Sequence, residues 1–149
     1  MHLVLKRSLI LLACIAISAC GPIKIDSVPP GLALESVSIE TSGIELNLLI
    51  ENRNDSAILV TYAELSLELE GTPIINAQGT VNLDISPRGR ESLSITLPPE
   101  PGGEQALQRI DRSARYQLMG RLEFQSLDRH EIEVRGFLHP VPGQPGRYR

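Results

Sequence analysis

The chain has 149 residues, of which 42% are hydrophobic and only 3% aromatic, and its formal net charge at pH 7 is -4. This length is sufficient for one domain, whose core must be aliphatic. An acidic chain that has no basic run and no aromatic platform for stacking bases is a poor candidate for binding nucleic acid.

The first residues have the pattern of a targeting segment. Lys6 and Arg7 precede a short apolar run over residues 9–17, too short to cross about 30 Å of hydrocarbon as a helix. This pattern is typical of a signal peptide, which we place at residues 1–19. The segment Ile17–Cys20, with its small residues before a cysteine, resembles the lipobox of bacterial lipoproteins.

The lipobox resemblance implies that Cys20 is the lipid attachment site and the membrane anchor. In that family the thiol takes a diacylglycerol, the chain is cleaved before the cysteine, and the new amine is acylated; several acyl chains together anchor durably. Cleavage would also remove Cys14, leaving no disulfide. Gly21, where an Asp would indicate retention in the inner membrane, favours the outer membrane, facing the periplasm. The alternative is an ordinary secretory signal followed by a chance cysteine.

Residues 20–33 form the acylated cysteine and a tether that three prolines make extended and semi-stiff. The domain itself is expected to span residues 34–138, with a first strand over residues 34–40. Residues 139–149 carry three prolines and two glycines, a composition that predicts a loose C-terminal tail.

The segment Gly43–Leu69 is the centre of the predicted fold. Alternate residues from Ile44 to Ile50 are aliphatic, as expected for a half-buried strand. A polar turn over residues 52–56 separates it from a second amphipathic strand, and we expect the two to pair as a β-hairpin. The apolar face of the second strand changes from even-numbered to odd-numbered residues, which predicts a bulge near Ala63.

The remaining pattern predicts four more strands and one helix. Apolar residues alternate over residues 75–85, 93–97, 116–124 and 132–138, separated by turn residues. Leu107 and Ile110, three residues apart, indicate a short surface helix within Glu104–Ser113. About seven short strands with frequent turns and no strand–helix alternation predict an all-β, immunoglobulin/fibronectin type III-like sandwich with one short helix.

This pattern resembles the WHy domain (water stress and hypersensitive response), the second class of late embryogenesis abundant proteins. The resemblance is carried by Asn52-Arg53-Asn54, where the family commonly has Asn-Pro-Asn, by the strand end at Gly71, and by the Tyr-x-Leu-x-Gly segment Tyr116–Gly120. It covers about residues 34–138. It implies a fibronectin-like or immunoglobulin-like sandwich with one helix and a role in desiccation or stress protection.

The residues themselves indicate no reaction. Asn52 and Asn54 are interpreted as structural, because asparagine favours Asx turns and tolerates left-handed backbone. His130 and His139 have no cysteine partner or ligand spacing for zinc, and no serine lies in a Gly-x-Ser-x-Gly elbow. Arg88 and Arg90 could meet an anionic headgroup, although solvated turn charges are the commoner case.

We therefore expect a non-enzymatic envelope lipoprotein without cofactor or metal, its oligomeric state open. Its partners would be the membrane and client or envelope proteins. The alternative is a binding or adaptor module, a splayed sandwich that holds a lipid, an apolar ligand or an envelope complex. A large apolar cavity or an extensive exposed apolar patch would favour that alternative, whereas a tight core beneath a polar surface would favour protection.

Overall fold

The computed structural model describes residues 25–125 and 129–149. The predicted signal peptide, Cys20 and the first part of the tether lie outside these residues, as does most of the predicted turn at Leu127–Arg129. Eight strands and one helix occur in the described part of the chain: β1 Gly31–Glu40, β2 Gly43–Glu51, β3 Ile58–Leu69, β4 Thr72–Ile85, β5 Arg90–Leu97, α1 Gly103–Gln108, β6 Ala114–Phe124, β7 His130–Leu138 and β8 Arg147–Tyr148.

The strands form two four-stranded antiparallel sheets, in the orders β5-β2-β1-β8 and β4-β3-β6-β7. The chain changes sheet between β2 and β3, between β4 and β5, through α1 between β5 and β6, and again between β7 and β8. This arrangement confirms the predicted all-β sandwich of the immunoglobulin and fibronectin type III class, with one short helix.

The core between the sheets is aliphatic, as the composition predicts. The even-numbered face of β2, from Ile44 to Ile50, is at most 1% exposed, and Leu67 of β3 and Leu118 of β6 are fully buried from the other sheet. Strands β1 to β7 and α1 supply nearly the whole of this core, to which Tyr148 of β8 adds one ring. Residues 25–149 therefore hold a complete hydrophobic core, of a size that supports independent folding.

The predicted hairpin between β2 and β3 is wrong. Strand β2 pairs with β1 and β5, whereas β3 pairs with β4 and β6, so the two strands belong to different sheets. Both strands are amphipathic, and each buries its apolar face against the opposite sheet. The two strands therefore face each other's sheets and do not hydrogen-bond to each other. The polar segment 52–57 thus crosses from one sheet to the other.

The predicted change of face in β3 is confirmed. Ile58 and Val60 are buried before the change and Ala63 and Leu65 after it, and the register with both neighbouring strands shifts between Val60 and Tyr62. The extra residue of this bulge moves the buried positions from even-numbered to odd-numbered residues. Tyr62, expected on the inner face, is only half-buried, because the shift comes just before it.

Several boundaries differ from those expected, among them the start of β1 at Gly31, inside the predicted tether. The helix is shorter than predicted: Leu107 is fully buried within it, but Ile110 follows in a turn that leads into β6. The C-terminal segment is not a loose tail at its end, since β8 pairs with β1 through Val37 and Tyr148, and Tyr148 is 4% exposed. Burial of this aromatic ring offsets the entropy lost when the proline-rich segment is ordered.

Within the described residues, no helix has the length and apolar character needed to cross a membrane.

Candidate functional site

The turn Asn52-Arg53-Asn54 lies where the chain passes from β2 to β3, and both asparagines are 1% exposed. The side-chain amide of Asn52 donates to the carbonyl oxygens of Ser56 at 2.8 Å, Ser86 at 3.0 Å and Ile85 at 3.2 Å. Its backbone N–H donates to the carbonyl of Gly89 at 2.9 Å. Asn52 thus joins the β2–β3 connection to the β4–β5 connection, the two crossings at this end of the sandwich.

The two asparagines also bond to each other. The Asn52 Oδ1 atom accepts the backbone N–H of Asn54 at 2.9 Å, an Asx turn, and the Asn54 Nδ2 atom at 3.2 Å. Asn54 then reaches the N-terminal segment: its Oδ1 accepts the Val28 N–H at 2.7 Å and its Nδ2 donates to the Val28 carbonyl at 2.9 Å. Every amide atom of the pair has a partner, so neither side chain has a free polar atom with which to bind a ligand.

A ring of charges surrounds this turn. Asp55 accepts a hydrogen bond from the Ile25 N–H at 2.8 Å and another from the Arg88 Nε atom at 2.9 Å. Arg90 pairs with Glu51 at 2.9 Å, and this hydrogen bond, with the charge behind it, holds the pKa of the Glu51 carboxyl below its ordinary value. These pairs are solvent-exposed and individually weak, but they connect the N-terminal segment and both crossings.

We name the two asparagines, Asp55, Arg88 and Val28 the tether joint, because together they fix the segment 25–30 to the sandwich. The sequence pointed to Asn52 and Asn54 as a structural turn. It did not indicate that Val28 would bond Asn54 or that Arg88 would bond Asp55, because these pairs are brought together only by the tertiary fold. The structure supplies what the sequence lacks: both amides are 1% exposed, and a buried amide needs partners.

A second feature is a small apolar cleft between the edges of β4 and β5. It has a volume of about 110 Å³, and its lining includes Ala63, Leu65, Ala77, Gly79, Val81, Ile95 and Leu97. Small-molecule sites usually enclose about 300–1,000 Å³, whereas an apolar cavity of about 150 Å³ holds one benzene-sized group. The cleft is therefore of the size of one side chain rather than of a lipid.

The remaining candidates from the sequence are dispersed. In residues 25–125 and 129–149, no three His, Cys, Asp or Glu side chains come together in a way that could hold a metal ion. His139 faces the Arg112 carbonyl at 3.3 Å, and Glu64 pairs with Arg121 at 2.9 Å on an outer sheet face. Arg88 and Arg90 both take part in ion pairs beside the tether joint.

Comparison with known proteins gives structural likeness only. No protein-family model matches the chain, and no curated protein matches it either. Similar solved structures include a candidate late embryogenesis abundant (LEA) protein, At2g46140.1 (15% identity, 75% of this chain and 71% of that chain, TM-score 0.49). A second is AT1g01470 from Arabidopsis thaliana, with 11% identity over 86% of this chain and 95% of that chain and a TM-score of 0.49. A third is a protein from Archaeoglobus fulgidus, with 12% identity over 78% of this chain and 98% of that chain and a TM-score of 0.43. Because the identities and TM-scores are this low, the function of the chain is inferred below from its own residues.

Proposed function

We propose that the chain is a non-enzymatic lipoprotein of the bacterial envelope that protects other proteins during desiccation or related stress. The lipid anchor would be at Cys20, in the outer membrane facing the periplasm, and the sandwich would act through weak surface contact with client proteins. The domain would require neither cofactor nor metal.

The observation that carries the proposal is the tether joint. The turn Asn52-Arg53-Asn54 is also the part of the sequence that most resembles the WHy domain. Its side chains hold Val28, eight residues after Cys20, against the sandwich. A rigid connection at this point would keep this end of the sandwich near a membrane-attached cysteine.

The character of the surface supports protection over ligand capture. Among the described residues, the exposed large hydrophobic side chains are Ile25 and Phe137, at 39% and 60%. Scattered apolar side chains of this kind are ordinary on protein surfaces. The cleft of about 110 Å³ is too small for an acyl chain. Apart from the half-buried edge between β4 and β5, an aliphatic core beneath a charged surface suits a protein that keeps clients apart.

Recovery of a labile enzyme tests the protective role. Lactate dehydrogenase is dried and rehydrated with residues 25–149, and its remaining activity is compared with that after drying with an equal mass of albumin. The matched control is the variant Leu48→Asp, which places a charge in the fully buried face of β2 and should unfold the domain while leaving its composition almost unchanged.

We expect the folded domain to preserve more activity than albumin or the Leu48→Asp variant. Equal recovery with albumin would remove a specific protective role. Equal recovery with the unfolded variant would show that composition rather than the folded surface protects, and would contradict the proposal in its present form.

A further inference from the structure

One side of the sandwich has an apolar seam that the described residues leave partly uncovered. The inner-face residues of β5, Leu93, Ile95 and Leu97, are half-buried, although their partners across the pairing with β2, Leu48, Leu46 and Ile44, are at most 1% exposed. Val81 and Leu83 on the neighbouring edge of β4 are also half-buried. We call these five half-buried aliphatic side chains, Val81, Leu83, Leu93, Ile95 and Leu97, the open seam.

The edge of β5 lacks the features that usually prevent pairing with another strand. Edge strands are protected by charges, prolines, bulges or shortness. Strand β7 carries Glu131, Glu133 and Arg135, and β8 has two residues. Strand β4 contains Pro73 and two shifts of register against β3. Strand β5 pairs with β2 without any shift, and it is uncharged from Ser92 to Leu97.

We propose that β5 pairs, antiparallel, with β5 of a second copy of this chain, and that this pairing covers the open seam. A second copy fits this edge because the strand is complementary to itself. When Ile95 lies opposite Ile95 of the second copy, Leu93 lies opposite its Leu97 and Ser94 opposite its Thr96. Residues directly opposite in an antiparallel pair project to the same face, so aliphatic residues meet at the seam and hydroxyls meet outside.

The charges at the start of the strand select this register. With Ile95 on the two-fold axis, Arg90 and Glu91 fall beyond the paired residues. Moving the axis by one residue to Ser94 would place Glu91 opposite Leu97, on the inner face, where an unpaired carboxylate is costly. A two-fold axis also gives a closed dimer rather than a fibre. The dimer does not depend on the protective role proposed above.

Cysteine cross-linking tests both the partner and the register. Residues 25–149 contain no cysteine, so each introduced thiol is the only one in the protein. Opposite side chains in an antiparallel pair have Cβ atoms about 4.5–5.5 Å apart, within reach of a disulfide, whereas diagonal neighbours are about 7–8 Å apart. We therefore expect Ile95→Cys to give a covalent dimer on mild oxidation, and Thr96→Cys to give little.

The mass in solution, measured by light scattering across a wide range of concentration, is the second readout. We expect a dimer, and we expect Thr96→Lys to raise its dissociation constant by about tenfold or more, because two like charges then lie diagonally across the axis on the paired edge. Ser113→Lys, on an exposed loop between α1 and β6, is the matched control and should leave the mass unchanged.

Three results would overturn the proposal. A monomer at every concentration would show that no second copy covers the seam and would leave it to another occupant. Equal cross-linking of Ile95→Cys and Thr96→Cys would show random collision rather than a fixed register. A dimer equally weakened by Thr96→Lys and Ser113→Lys would place the interface elsewhere.

Discussion

Asn54 and Val28 bond to each other twice, although they are 26 residues apart. The Val28 N–H donates to the Asn54 Oδ1 atom at 2.7 Å, and the Asn54 Nδ2 atom donates to the Val28 carbonyl at 2.9 Å. An asparagine side chain has the same acceptor and donor as a peptide group, so it pairs with Val28 as a neighbouring strand would. The N-terminal segment is thereby fixed to the sandwich without a strand of its own.

The first prediction concerns this pair. Asn54→Ala should lower the free energy of unfolding by roughly 1–3 kcal/mol, because it leaves the Val28 groups and the Asn52 Oδ1 atom short of partners. Urea denaturation of residues 25–149 measures the change. Asn82→Ala, at an exposed position on β4, is the control and should change stability little. Similar losses in both variants would mean that the tether joint adds no stability.

The second prediction concerns the core face of β2. Leu48 is 1% exposed, and replacing a buried leucine with alanine typically costs about 2–5 kcal/mol. Against a total stability of about 5–15 kcal/mol, Leu48→Ala should move the denaturation midpoint strongly. Leu49→Ala, which changes the half-buried neighbour on the other face of the same strand, should cost less. A larger effect at Leu49 would show that the inner and outer faces had been exchanged.

The sequence allowed the strands and their faces to be predicted, because those depend on local alternation. The inner residues of β2 and the face change in β3 could both be found without the structure. The pairing of strands could not, since two amphipathic strands joined by a polar turn satisfy the same pattern whether they form a hairpin or cross between sheets. The hairpin and the crossing differ only in which strands, distant in the sequence, lie beside β2 and β3.

The same reason explains what was missed at the candidate site. The two asparagines were recognisable as turn residues, but their partners Val28 and Ile85 are 26 and 33 positions away from them. The proline- and glycine-rich composition of the C-terminal segment predicts a loose tail, whereas the structure pairs its end with β1. One residue, Tyr148, provides the apolar contact that orders its end, and a single aromatic residue gives no periodic signal.

The third prediction tests the anchor. If Cys20 is acylated, Cys20→Ala should abolish incorporation of labelled palmitate in cells that express the full chain, and normal maturation should fail. Cys14→Ala is the matched control, because this cysteine would be removed with the signal peptide and its loss should leave labelling intact. Labelling that persists in Cys20→Ala would exclude Cys20 as the attachment site.

The fourth prediction concerns the end of the chain. Tyr148 of β8 pairs with Val37 of β1 and is 4% exposed, so Tyr148→Ala should destabilise residues 25–149 by about 3–5 kcal/mol, the range for removing a buried aromatic ring. Thermal unfolding measures the loss. Replacing the exposed terminal residue, Arg149→Ala, provides the comparison. If the Tyr148→Ala and Arg149→Ala variants melted at the same temperature, the ring would not belong to the core.

The last prediction is a loss of stability in alkali. Burial raises the pKa of both Tyr116 and Tyr148 above the ordinary value of 10.0. As the pH rises past about 10, the unfolded chain releases these phenolic protons while the folded chain keeps them, so ionisation favours the unfolded state. Stability from these residues is therefore complete below pH 10 and decreases above it, until the folded phenols also ionise.

The midpoint of urea denaturation, followed from neutral pH to about one unit above the ordinary tyrosine pKa, should decrease at the alkaline end. The double variant Tyr116→Phe, Tyr148→Phe keeps both rings but has no proton to release there, so its midpoint should decrease less. Tyr62→Phe is the control, because Tyr62 is only half-buried and its hydroxyl bonds Gln78 at the surface. An identical alkaline decrease in wild type and the double variant would show that these two phenols do not control it.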